Sequence, residues 1–171
     1  MPWPGWGTCI PAAQLVRAMI IDPALLRVLN LALAFYNVGT IWAHEIDIFR
    51  SWRLVNVESF RAVQAAHWRK LGYWIFIPVG LAFLGGILLV GHHPARSPSW
   101  AIDGALICLM LSCVLTALFW GRWQARLAAD PLGSGSPYLG RILATHWVRT
   151  ALVTAYAGFL LVAAAVAFVP E

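Results

Sequence analysis

The residues whose types and spacing can do chemistry fall into three short segments: His44, Glu45 and Asp47; Gln64, His67 and Arg69; His146 and Arg149. A neutral imidazole takes a proton near physiological pH, or ligates a metal or a haem. A carboxylate beside histidines makes a site of the kind that holds iron. A guanidinium pairs with a carboxylate or with an anionic intermediate. His44, Glu45, His146 and Arg149 are therefore the candidate catalytic residues, and His44, His67 and His146 the candidate cofactor ligands. No Glu-x-x-His or His-x-x-x-His pair supports them. The metal is undetermined, and the choice of cofactor stays open between none, iron, and haem or another tetrapyrrole.

These groups must be held by elements suited to lipid. The chain has 171 residues, 61% hydrophobic and 11% charged, with a mean hydropathy of +0.74. A soluble domain is about half apolar and a quarter charged, so this composition excludes a soluble enzyme, a disordered tail and a disulfide scaffold. Cys9, Cys108 and Cys113 give no paired spacing for disulfides or zinc. No basic segment followed by an apolar one reads as a cleavable leader. The expected fold is all-α: one polytopic membrane domain, 1–171, built as a four-transmembrane-helix bundle.

Apolar runs long enough to cross hydrocarbon occupy 24–43, with Arg27 near one end, then 71–91, 104–121 and 150–170. The segment 56–70 reads as an interfacial helix between spans one and two, and 1–23 as an outer N-terminal arm. Asp22-Pro23, Ser97-Pro98 and Ser136-Pro137 each put a capping side chain before a proline suited to a first helical turn. The last helix then runs from Tyr138 to Phe168. Pro78 is expected to kink span two. Asp130–Ser136 reads as a flexible Gly/Ser linker.

Arg50, Arg53, Arg61, Arg69, Lys70, Arg122, Arg126 and Arg141 fall on one side of these spans, Arg17 and Arg96 on the other. The positive-inside rule makes the first side cytoplasmic and turns both termini outward, in a bacterial-type inner membrane. Tryptophans form two interfacial belts: Trp3, Trp6 and Trp100 outside; Trp42, Trp52, Trp68, Trp74, Trp120, Trp123 and Trp147 inside. The charges make no basic stripe for nucleic acid.

Polar residues in a membrane helix turn inward. Asn30, Asn37 and His44 recur every seven residues, with Thr40 between them. Cys108, Ser112 and Thr116 recur every four, and His146, Arg149, Thr150 and Thr154 share a face. Ala82 and Gly86 form a small-xxx-small step for close helix contact. Packed as a bundle, these stripes meet in a polar pocket in the cytoplasmic half, open to a hydrophobic small molecule. Asn30 and Asn37 read as bridges between helices, Cys108/Ser112/Thr116 as packing, and His92 and His93 as a solvated turn.

The stretch 61–80 (RAVQAAHWRKLGYWIFIPVG) and the segment 146–156 (HWVRTALVTAY) resemble the anthrone oxygenase-like family of small four-helix membrane proteins. Gln64, Arg149 and Thr150 match its motifs. His146 stands where the family has asparagine, and FWGRW (119–123) differs from the family's end of span three. The resemblance implies oxygenation of an anthrone-type aromatic: His146 or His44 as base, Arg149 as anion partner, Glu45 orienting the base. A different class of function is a non-catalytic accessory subunit of a photosynthetic or respiratory complex, with other membrane subunits as partners and a tetrapyrrole or lipid bound. A small-molecule carrier is disfavoured by the absence of inverted repeats.

Overall fold

The computed structural model describes residues 22–168. The outer arm up to residue 21, with Trp3, Trp6, Cys9 and Arg17, and the end of span four beyond residue 168, lie outside the described residues. Four helical rods account for the fold: α1 (Pro23–Leu54), α2 (Val57–His92), α3 (Ser99–Ala129) and α4 (Pro137–Phe168). Each is long and apolar enough to cross a membrane. The 32 residues of α4 rise about 48 Å, beyond the roughly 30 Å of a hydrocarbon core.

The rods form a ring in which α1 packs on α2 and α4, and α3 packs on the same two. Small residues bring the backbones together. Ala34, Ala82, Ala101, Ala105 and Ala163 are all buried, and Ala82 packs here as its small-xxx-small step with Gly86 requires. A second cluster at the basic end joins Phe49, Trp52, Phe60, Leu127, Leu139 and Ile142.

Two of the three expected caps form. The Asp22 carboxylate accepts from the Ala24 N–H at 2.9 Å, and the Ser136 hydroxyl from the Tyr138 N–H at 3.2 Å. Ser97 does otherwise. Its hydroxyl donates to the Ala163 carbonyl at 3.0 Å and accepts from Arg27 at 2.8 Å, so helix α3 starts at Ser99 after Pro98 without a side-chain cap. Interhelical bonding wins because Ser97 faces the bundle. Nearby, the Tyr156 hydroxyl donates to Asn30 Oδ1 at 2.6 Å, tying α4 to α1. Asn30 is the bridge its position suggests.

The expected interfacial helix is Val57–Leu71, capped by Asn56 accepting from the Ser59 N–H at 2.8 Å. It runs without a break into span two through a π turn at Gly72–Phe76. Pro78 lacks the N–H that an α-helix would aim at the Trp74 carbonyl. The Tyr36 hydroxyl fills that gap at 3.1 Å.

The stretch 130–136 is tied down rather than loose. Asp130 accepts from the Leu132 N–H at 3.0 Å and the Ser136 hydroxyl at 2.7 Å. These two bonds hold its carboxyl below the usual carboxylate range. Gly133 takes φ +54°, where a side chain would meet Phe60 and Val57.

Candidate functional site

Three of the four rods contain a five-residue π turn at the same end of the bundle: His44–Ile48 in α1, Gly72–Phe76 in α2 and Thr116–Trp120 in α3. A π turn inserts one residue and rotates the next stretch of chain by about 100° relative to an unbroken helix. The first begins at His44 and the third at Thr116, and Ile75 lies within the second. Gly121 makes the third turn possible, since its N–H bonds to the Thr116 carbonyl and a Cβ would lie 2.9 Å from that oxygen.

Within this ring is a cavity of about 360 Å³. Its walls are largely apolar: Ile41 of α1, Ile75, Phe76 and Val79 of α2, Leu109 and Ala117 of α3 and Val153 of α4. The polar contributors are Asn37, Thr40, Ser112, Cys113, Thr116 and Arg149. Phe76 and Ala117 are its exposed members, so its mouth opens to lipid at the seam between α2 and α3.

A smaller void of about 30 Å³, room for a water molecule, adjoins it. His44, Phe49, His67, Leu71 and Gln124 border this void, and Ile75, Phe76, Thr116 and Arg149 belong to both spaces. Arg149 therefore stands at the junction. It is half-buried, and among the described residues no carboxylate lies within ion-pair distance of it.

Glu45 is engaged elsewhere. One of its oxygens accepts from His146 Nδ1 at 2.8 Å, the other from Arg50 at 3.2 Å, and its backbone carbonyl also accepts from Arg50, at 2.9 Å. Because a carboxylate accepts this bond, the proton of neutral His146 sits on Nδ1, and Nε2 carries the lone pair. The same argument holds for His44, whose Nδ1–H donates to the Thr40 carbonyl at 2.6 Å. The Nε2 atoms of His44, His67 and His146 are all buried without a protein partner, as are both amide atoms of Gln64.

His44 lies against His67, and His146 against Glu45, with a division of place. His44 and His67 border the inner void beside Arg149. His146 does not, and meets them through Phe49, whose ring centroid is 4.6 Å from His146, 5.2 Å from His44 and 6.5 Å from His67. Trp52 stacks edge-on against His67 at 4.9 Å, and Trp120 lies 6.3 Å from His146. Both tryptophans are buried, so they leave the interfacial belt, which keeps exposed Trp42, Trp74 and Trp147.

Other side chains fall outside the site. Asp47 and Arg69 are exposed. Thr154 accepts from the Trp42 indole at 3.1 Å on the outer seam of α1 and α4. Thr116 and Thr150 donate to their own helix, to the Ser112 and His146 carbonyls, which leaves them no free proton. Ser112 and Cys113 line the cavity rather than only packing, while Cys108 sits in the apolar core. Asn37 bridges no helices: both its amide atoms are buried and unpartnered on the cavity wall. His92 and His93 are exposed.

The void beside His44 and His67 has room for a water. Among the described residues no group of three or more His, Cys, Asp or Glu side chains is placed to hold a metal ion. What the arrangement offers is a buried imidazole lone pair beside an apolar cavity lined by a guanidinium that has no carboxylate partner among the described residues. Comparison of the chain with protein-family models, with curated proteins and with solved structures finds no match.

Proposed function

We propose that this protein is a membrane enzyme that takes a flat hydrophobic aromatic from the bilayer and oxygenates it, with an anthrone as the substrate type. The observation that carries the reading is Arg149: a cation without a carboxylate partner among the described residues, between an apolar cavity and the void beside the His44 imidazole. An unpaired charge in such surroundings costs several kcal/mol. An anionic oxygen on a bound ligand offsets that cost.

An anthrone is acidic at its methylene because loss of the proton gives an aromatic enolate. A water in the small void passes that proton to His44 Nε2, and Arg149 holds the enolate oxygen. Dioxygen, which dissolves well in hydrocarbon, accepts electrons from the enolate, and a carbon–oxygen bond forms by recombination of the radical pair. The peroxide anion takes the proton back from His44. Loss of the second methylene proton with cleavage of the O–O bond gives the carbonyl and water. The methylene and one dioxygen thereby become a ketone carbonyl and one water, with no further reductant consumed. His146 acts through Glu45 and Phe49 as a positioning residue in this scheme.

The test is dioxygen uptake with an anthrone by the purified protein in nanodiscs, corrected for spontaneous oxidation. Arg149→Gln is expected to lower kcat by about 10²–10³, and His44→Gln by about 10²–10⁴. Full activity in either variant would remove its residue from the chemistry, and no protein-dependent uptake at all would refute the reaction.

A further inference from the structure

The cavity has a second polar feature, which the oxygenation scheme leaves unused. Asn37 is 3% exposed, and neither its Nδ2 nor its Oδ1 has a protein partner. Buried side-chain amides almost always find partners, and one left bare in an apolar wall costs about 1–3 kcal/mol per group. On the same helix stripe, Asn30 has its Oδ1 satisfied by the Tyr156 hydroxyl and only its Nδ2 unpartnered, whereas at Asn37 both amide atoms lack a partner among the described residues. At Asn37 the facing side is open cavity.

Asn37 lies on α1, seven residues before His44, and Arg149 of α4 lines both the cavity and the His44 void. The cavity therefore holds a cation from one helix and an amide from another, with apolar Ile41, Ile75 and Val79 among its walls.

We infer that Asn37 is a specificity residue: it reads a neutral hydroxyl on the ligand, apart from the anionic oxygen held by Arg149. A hydroxyl fits because it donates to Oδ1 and accepts from Nδ2 at once. The ligand class is then a flat apolar aromatic that carries a neutral hydroxyl besides its anionic oxygen. This inference rests on the proposed binding of an anionic aromatic by Arg149, and adds the second contact.

Two probes separate the claims: an anthraquinone with one hydroxyl on each outer ring, at opposite ends, and the anthraquinone with only one of them. Equilibrium binding to the protein in nanodiscs is expected to favour the first by about tenfold, the worth of one well-placed neutral hydrogen bond. Asn37→Leu should remove the preference while leaving the affinity of the mono-hydroxyl probe within about twofold. Equal binding of both probes by the unsubstituted protein, or an intact preference in Asn37→Leu, would overturn the role of Asn37 and leave Arg149 standing. Binding of neither probe would overturn both. The comparison in the unsubstituted protein decides the matter even if the variant fails to fold.

Discussion

The Glu45 carboxylate is shared by His146, 1% exposed, and Arg50, 61% exposed at the surface, and among the described residues Arg149 has no carboxylate within ion-pair distance. Removing the carboxylate strands the His146 Nδ1–H in a buried place, which costs about 1–3 kcal/mol. Glu45→Ala is therefore expected to lower the thermal midpoint in detergent, whereas Asp47→Ala, at an exposed carboxylate two residues on, should not. An unchanged midpoint in Glu45→Ala would mean that the His146–Glu45 bond is not made. The pairing of residues 45 and 146 was legible in part: both carry chemistry and both end a span at the same level. That His146 meets the void only through Phe49 was not, because Phe49 belongs to no polar stripe and follows a π turn that breaks the 3.6-residue period.

At the scale of elements, the three π turns shift the helix register at one end of the bundle. The turn at Thr116–Trp120 rotates the residues that follow it by about 100° relative to an unbroken helix. Gly121 is the residue that admits the turn there, since a methyl at this position crowds the Thr116 carbonyl. Gly121→Ala should destabilise by about 1–3 kcal/mol, the usual cost of overpacking, and weaken ligand binding. Gly140→Ala, where a Cβ meets nothing within 4 Å, should be neutral or slightly stabilising. Equal behaviour of the two in thermal unfolding would contradict this role for the turn. The spans themselves were plain in the sequence, as were two of three helix starts. The π turns carry no such signal: Pro78 marks one, and the others show only in coordinates. Ser97 misleads for a related reason, since a serine before proline reads as a cap until a neighbouring helix offers it a better acceptor.

At the scale of the molecule, four rods enclose a cavity that opens sideways to lipid between α2 and α3 and ends on a cation. A hydrophobic acid partitioned into the bilayer can enter there without crossing water. If Arg149 holds an anionic oxygen of such a ligand, hydroxyanthraquinones reveal it, because their visible spectrum shifts to the red when the phenol ionises. Titrated into nanodiscs holding the protein, the mono-hydroxyl probe should show the phenolate band at a pH well below that needed in empty nanodiscs, and Arg149→Gln should abolish the difference. A probe that binds the protein but ionises at the same pH with and without Arg149 would contradict this role for the guanidinium.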